Sequence, residues 1–489
     1  MYRLDDEIWD LSPDMNTDRK QMVDMTTTSY AVVIGAGMGG LLAARVLSEF
    51  FDDVTVVERD ALPDTPVARR CVPQARHVHV LTTRGRNAME ELFPGLTEDL
   101  LGCGAPNGDI QADFRWVADG HRLAKGVSGI PVLMVSRPLV EWYLRNLVQA
   151  LPNVEIIDRC TARRITTDPQ HRRVTGLAVS VPSKNIADTV IACDLVIDAS
   201  GRSSESQGWL ESLGFNRPRE EKLPIHLAYG TRRYRREASH LDGDLGVGVM
   251  GTPELPRGGL VVAQENDDWV VTLAGYADDE PPLDAEGFVD YARSLPAPEF
   301  GELLSHAHPL DEGVRYRVPS TVRRHFESAP LPDGYIPFGD TMCCFNPVYG
   351  QGMTVAALEA LILRRCLQRE SHHVRDNHRV TARFLRNSRP LLDEAWEMAC
   401  NTDLRMPFIE GKRTAKIRMT NAYVARVHRA AATDPRVGTA FWRVTNLLAH
   451  PNSLMSPPTL ARVLWANRHR GNLHAPETDY SKSTVRPPR

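Results

Sequence analysis

Apolar and polar positions fall along this chain in distinct textures, and each texture predicts a different kind of element. An apolar run at 31–34 reads as a buried strand, a helical pattern follows to about residue 50, and a second apolar run covers 54–57. Two buried strands joined by a helix predict a parallel βαβ unit. The segment 131–151 begins as a strand and becomes an amphipathic helix, with Ser136 placed to cap it and Pro138 suited to its first turn. Runs between 154 and 198 read as successive strands that return the chain to the parallel sheet at 195–197. From 223 to 277 the pattern changes to short alternating strands (LPIHLAYGTRRYR, LGVGVMG, GGLVVAQEN and DWVVTLAGY), which predict an antiparallel second layer. Helices are expected at 83–92 and near 285–294, and a long one opens after residue 350. Residues 370–468 read as mostly helical and Arg-rich.

The turn after the first strand carries candidate chemistry. Its sequence GAGMGG places Gly35, Gly37 and Gly40 around Met38 and Gly39. Gly35 permits a tight turn, Gly37 lets a pyrophosphate approach the backbone, and Gly40 lets the helix pack on the sheet. Phosphates would sit on free N–H groups at the positive end of that helix. Glu58, at the end of the second strand, can accept both hydroxyl hydrogens of an adenosine ribose. This unit predicts a dinucleotide site without saying which dinucleotide.

Three further stretches supply candidates. Prolines 63, 66 and 73 preclude a continuous helix after Glu58, and so long a crossover loop in a compact domain is a functional candidate. It offers Arg59, Arg70, Gln74 and His77, either as ligand contacts or as side chains that tie the loop down. Arg137, at a strand-to-helix junction, can reach a phosphate or ribose. Asp198 and Gly201 lie in the turn DASGRSS at the carboxyl end of a strand, where open α/β sheets bind ligands. In GDTMCCFNPVYGQGM, Gly339 and Asp340 end a strand, and Gly350, Gln351, Gly352 and Met353 open the long helix.

At 489 residues the chain exceeds one ordinary core. The expected organisation is a loose extension at 1–28, a discontinuous nucleotide-binding domain at 29–222 and 312–370, and an antiparallel-sheet domain at 223–311 with part of 95–135 as a candidate addition. A helical region at 371–468 and a disordered tail at 469–489 complete it. The net charge of −4 gives no electrostatic reason to invoke nucleic acid or an anionic membrane, and RRYRR at 232–236 reads as a solvated strand edge. Eight cysteines without a CxxC pair read as reduced thiols of a cytoplasmic protein, and no metal-ligand spacing is present. The longest apolar stretch, 31–44, is shorter than a membrane span, so no stable membrane insertion is expected.

Taken in order, GAGMGG with Glu58, DASGRSS and GDTMCCFNPVYGQGM resemble the FAD-dependent monooxygenases of the para-hydroxybenzoate hydroxylase type, over roughly residues 29–370. The loop VPQARHVHVL, the segment SRPLVE and FNPVYGQGM look most like the branch of bacterial polyether and polyene epoxidases and related tailoring oxygenases. The resemblance implies an α/β fold: a Rossmann-like FAD-binding domain interleaved with an antiparallel-sheet substrate domain, followed by C-terminal helices that cover the substrate domain or mediate dimerisation. It implies FAD with NAD(P)H as reductant and O2 as co-substrate. Oxygen would pass from a flavin C4a-hydroperoxide to a hydrophobic polyketide or polyene substrate, free or carrier-protein-bound, by epoxidation or hydroxylation. Asp340 would hold the ribityl hydroxyls, Arg137 the adenosine diphosphate, Gly350 to Met353 the pyrimidine edge, and Pro347 and Phe345 would lie near the reacting face. No side chain is expected to act as a catalytic base. The chain departs from the family in having Ser200 before Gly201 where an Asp-Gly pair is common. The halogenase signature WxWxIP and a prenyl-reductase YxWxFP are both absent. A flavin-dependent prenyl double-bond reductase and a flavin-binding non-catalytic protein are the alternatives, as monomer or homodimer.

Overall fold

The computed structural model describes residues 28–181, 186–369 and 378–468. The expected N-terminal extension, but for residue 28, and the expected C-terminal tail lie outside the described residues. The chain opens with β1 (Tyr30–Ile34), α1 (Met38–Leu47) and β2 (Asp53–Val57). A long loop leads to α2 (Thr83–Leu92), α3 (Leu96–Gly102), β3 (Asn107–Asp109), β4 (Phe114–Ala118), β5 (His121–Arg122), β6 (Pro131–Leu133) and α4 (Arg137–Gln149). Then come β7 (Val154–Ile157), β8 (Thr161–Thr167), β9 (Val174–Val181), β10 (Ile186–Ala192), β11 (Leu195–Asp198) and α5 (Ser206–Ser212). The middle of the chain forms β12 (Arg219–Arg235), β13 (Gly246–Val249), β14 (Arg257–Gln264), β15 (Asp268–Tyr276), α6 (Ala285–Arg293), α7 (Pro298–His306) and β16 (Val314–His325). Last are β17 (Tyr335–Pro337), β18 (Cys343–Cys344), α8 (Gly352–Gln368), α9 (His378–Asp403), α10 (Ala415–Ala431), α11 (Pro435–Thr445) and α12 (Pro457–Arg468).

The predicted βαβ unit sits at the centre of a five-stranded parallel sheet ordered β17-β11-β1-β2-β7. The apolar runs predict this placement because parallel strands are buried on both faces. A Cβ on Gly40 would stand 1.7 Å from the carbonyl oxygen of Gly35, so only glycine lets α1 lie this close to β1. Gly35 itself has φ +97°, in the left-handed region that glycine tolerates. Strands β8, β9 and β10 form a separate antiparallel sheet.

The second layer is an eight-stranded sheet ordered β18-β16-β12-β15-β14-β13-β4-β5. It corrects two expectations. The stretch 314–325, assigned with the nucleotide-binding segment, instead forms β16 and pairs antiparallel along β12. Its arginines obscure a strand pattern that their partners restore: Arg317 pairs with Glu280, Arg324 with Glu220 and Arg323 with Glu327. RRYRR is likewise no sheet edge, since β12 lies between β16 and β15 and Arg232 is buried beside the rings of Tyr234 and Phe288.

Each face of the large sheet packs against different helices. Trp269, Val271 and Leu273 of β15 point to Phe288, Tyr291 and Phe300 of α6 and α7. The alternate residues face the other way, as the two-residue period of a strand requires. On that side Leu404, Met406 and Ile409, which follow α9, pack with Leu223, Leu227 and Val318. Phe441 and Trp442 of α11 join Phe114 and Val132 in another cluster. The C-terminal helices therefore cover the same sheet face that looks toward the nucleotide end of the molecule.

Candidate functional site

A single cavity of about 2220 Å³ runs from the N-terminus of α1 to the space between the large sheet and the C-terminal helices. Small-ligand pockets are typically about 300–1,000 Å³, so this one has room for more than one ligand. At its first end, α1 starts on Gly37 with no side-chain cap, leaving first-turn N–H groups without an intrahelical acceptor. A Cβ on Gly37 would meet nothing nearer than Arg137 Nη2 at 3.9 Å. The free space there belongs to the cavity.

The acidic group beside this turn is more constrained than its sequence position shows. Glu58 is buried and accepts hydrogen bonds from the backbone N–H groups of Ala36 at 2.8 Å and Asp60 at 2.9 Å. Arg69 pairs with it at 3.2 Å and with Glu141 at 2.6 Å, while Glu141 also accepts from Arg137 Nε at 3.1 Å. A chain of alternating charges, Glu58–Arg69–Glu141–Arg137, thus holds Arg137 at the cavity wall. Arg70 does not take part: it is exposed and outside the cavity, because the loop turns its neighbour inward instead. Glu141 was missed by sequence reasoning, although its i, i+4 spacing from Arg137 on a helix was a usable signal.

The middle of the cavity is built by two strand-end turns. Gly201 (φ +79°) and Gly339 (φ +60°) allow the chain to bend beside Arg202 and Asp340. Asp340 opens onto the cavity, and the enclosing walls push its carboxyl above the usual value against the opposing pull of Arg137, Arg202 and Arg324. Glu359 is buried beneath the same turn, where it accepts from the Gly339 N–H at 2.9 Å, and burial pushes its carboxyl up to about 8. Asp198 does not reach the cavity. It is buried, accepting from Ser200 N at 3.0 Å, Ser204 Oγ at 2.6 Å and Tyr335 OH at 3.0 Å, so its carboxylate is spent on shaping the turn.

At the far end, Asn346 caps a short turn over Pro347–Tyr349 by accepting from Val348 N at 3.1 Å. Gly350 (φ +64°) then reverses the chain into α8, whose N-terminus again has no side-chain cap and faces the cavity. Pro347 is exposed to the cavity and Phe345 lies buried beside it. Gly35, Gly37, Met38, Gly39, Glu58, Arg59, Gln74, His77, Arg137, Gly201, Gly339, Asp340 and Gly350 to Met353 all line the same space. Gly40 serves packing instead, and Arg70 and Asp198 lie outside.

Beyond Pro347 the cavity continues as a chamber between sheet and helices. Its sheet wall is formed by Tyr229, Thr272, Ala274, Tyr276 and Tyr316, and its helix wall includes Met398, His428, Phe441 and Trp442. On its helix side Asp119 accepts from His428 Nδ1 at 2.7 Å and pairs with Arg405. His325, Glu327 and Asp393 form a possible metal-ligating group elsewhere, but Arg323 already pairs with both carboxylates, at 3.0 and 3.5 Å.

A five-stranded parallel sheet is joined to a large, mostly antiparallel sheet, and one cavity crosses both. No family model matches the chain. Protein Rv3254 of Mycobacterium tuberculosis is 33% identical over 463 residues, spanning 90% of this chain and 94% of that protein, and the chain belongs to its family. A kynurenine 3-monooxygenase of Salinispora arenicola is 26% identical over 368 residues, 69% of this chain and 72% of that one. The crystal structure of PqsL from Pseudomonas aeruginosa, described as a probable FAD-dependent monooxygenase, superposes with a TM-score of 0.61 at 14% identity, covering 78% of this chain and 96% of that one. This last likeness establishes shared fold.

Proposed function

We propose that this protein is an FAD-dependent monooxygenase that uses O2 and NAD(P)H to epoxidise or hydroxylate a hydrophobic natural-product scaffold. The observation that carries the reading is the continuity of the cavity between two uncapped helix N-termini, α1 and α8, with an apolar chamber beyond the second. A mononucleotide would fill one end only. A long two-headed cofactor accounts for both ends, and the chamber remains for a substrate.

The donor set fits FAD. The free amides at α1 and the Arg137 guanidinium would hold the pyrophosphate, Glu58 the adenosine ribose, and Asp340 the ribityl hydroxyls. The N-terminus of α8 would stabilise negative charge on the pyrimidine edge, since helix amides and dipole both favour an anion there. When bound, FAD would supply the redox chemistry, taking reducing equivalents from a nicotinamide and activating O2. The chain's own task is to exclude water and hold the substrate against Pro347. The antiparallel strands and helices α9 to α11 do this by closing the chamber with Tyr276, Phe441 and Trp442.

Reconstitution tests the reading directly. Purified protein should bind FAD in a one-to-one ratio, and NAD(P)H oxidation should rise when a hydrophobic ring or polyene compound is added, with label from oxygen-18 gas appearing in the product. A protein that retains no FAD would overturn the proposal. Bound flavin that never turns over would favour a non-catalytic flavin-binding role.

A further inference from the structure

His77 of the long loop also faces the sheet side of the chamber. His77 is buried and its ring lies over the chamber face of the sheet, 5.9 Å from the ring of Tyr229 and 5.6 Å from that of Tyr316. Those two tyrosines stand directly opposite each other on β12 and β16. Both their hydroxyls and His77 Nε2 lack a hydrogen-bond partner among the described residues, yet none of the three is sealed off by protein. All three side chains line the cavity.

The other ring nitrogen of His77 is held by a short hydroxyl chain. Its Nδ1 lies 2.7 Å from Thr231 Oγ1, which lies 2.6 Å from Thr272 Oγ1. Thr272 Oγ1 accepts from the Val78 N–H at 3.2 Å. If His77 Nδ1 donated, the hydroxyl protons would run toward Thr272 and leave the last one without an acceptor in the protein. If Thr272 donates to Thr231 and Thr231 to Nδ1, both hydroxyl protons are used within the network and the imidazole proton stands on Nε2, facing the cavity. The second order, which the proposal below takes, leaves Nε2–H as a donor into the chamber. Burial, reinforced by Arg76, pushes the imidazole down to about 4, so the ring is neutral. Burial pushes both phenols up, so they keep their protons.

The geometry points to His77 Nε2–H and the hydroxyls of Tyr229 and Tyr316 as a recognition site for an uncharged, hydrogen-bond-accepting oxygen of the substrate, carried by a ring ketone or a phenol. The inference rests on reading the chamber as the substrate site of a flavin monooxygenase. Three uncharged donors gathered on one wall suit such an oxygen better than a carboxylate, which would call for a cation. A largely apolar chamber gains orientation from them, because an unmatched polar group there is costly.

The test uses FAD-reconstituted full-length protein and three probes of one shape: 1-tetralone, 1-naphthol and tetralin. Calorimetric titration should show tetralone or naphthol binding roughly fivefold more tightly than tetralin, the ratio expected for about one net hydrogen bond. In the Y229F/Y316F double variant that preference should fall toward unity while the tetralin affinity stays unchanged; His77→Phe should do the same. The oxygen probe whose advantage is lost identifies ketone or phenol as the preferred class. Nitrogen-15 NMR should show the His77 signal, assigned by its loss in His77→Phe, as the Nε2–H form. Equal affinity for all three probes, or a preference that survives the double variant, overturns the inference, as does a variant that loses FAD while its probe preference persists. Flavin content is read in the same samples, so loss of FAD from wild-type protein counts against the monooxygenase reading and a flavin-loaded protein without preference counts against this one.

Discussion

Asp403, the last residue of α9, accepts a hydrogen bond of 2.8 Å from Asn346 Nδ2 in the turn that leads into α8. Tyr349 OH donates to the same oxygen at 2.7 Å, and Asn346 Nδ2 also lies 3.2 Å from Tyr276 OH on the sheet. One buried carboxyl therefore joins the C-terminal helices and the proline turn and, through Asn346, the cavity-facing sheet. Its other oxygen is buried without a partner. Burial pushes the carboxyl up to about 6, against the pull of the two hydrogen bonds.

That shift has a signed consequence for stability. Between the ordinary aspartate range near 4 and about pH 6, the folded state keeps the Asp403 proton and the unfolded state does not, so stability falls as pH rises through this window. Two pKa units correspond to roughly 2–3 kcal/mol. Asp403→Asn keeps an acceptor for Asn346 and Tyr349 and removes the titration. Denaturant unfolding of both proteins from pH 4 to 7 should show wild type losing stability relative to the variant up to about pH 6, then running parallel. A constant difference across the range would refute the assignment.

The paired arginines of the long loop differ sharply in what they do. Arg69 lies between two buried carboxylates, so Arg69→Met leaves Glu58 with only its backbone donors and Glu141 with Arg137 alone, and should cost about 3–5 kcal/mol. Arg70→Met changes an exposed side chain outside the cavity and should stay within about 0.5 kcal/mol. Urea denaturation distinguishes them, and FAD titration should follow the same order.

The parallel half of the fold was legible because its signals are local. Gly35, Gly40 and the two apolar runs specify β1, α1 and β2 within a single stretch, and Ser136 does cap α4 by accepting from Leu139 N at 3.2 Å. The large sheet was only partly legible. All nine residues of β15 are buried, so the alternation that would reveal its chamber face is erased, and β16 hides among arginines whose acids come from distant segments. Choosing Arg69 over Arg70 needed the path of a loop with no repeating pattern. Asp403 and His428 carry no motif at all, since their partners at Asn346 and Asp119 are assembled only by the packing of the C-terminal helices.

Gly37 and Gly40 look alike in the sequence and should fail differently. Alanine at 40 places its Cβ 1.7 Å from a backbone oxygen, which forces α1 off the sheet. The Gly40→Ala protein should be grossly destabilised or unfolded by circular dichroism. Alanine at 37 meets only the far end of Arg137 at 3.9 Å, and the backbone there (φ −81°) suits any residue. Gly37→Ala should fold with stability changed by about 0.5 kcal/mol or less, yet bind FAD at least about tenfold more weakly because the methyl enters the space left for phosphate. Equal FAD affinity in wild type and Gly37→Ala would remove the pyrophosphate from this turn.

Asp198 offers the sharpest separation between a ligand-handling residue and a structural one. Its position next to the Ser200-Gly201 turn suggests contact with cofactor or nicotinamide, but its carboxylate is spent on Ser200, Ser204 and Tyr335 and lies outside the cavity. Asp198→Ala leaves the buried Tyr335 hydroxyl and the part-buried serine donors without their acceptor, a lost partner costing about 1–3 kcal/mol where it is buried. The variant should therefore lose stability by several kcal/mol in denaturant. Where it is still folded, at low temperature and without denaturant, its FAD dissociation constant and the KM for NAD(P)H should stay within about twofold of wild type. A stable Asp198→Ala protein with a raised nicotinamide KM would show instead that the carboxylate acts on the ligand, and would require the turn to open in solution.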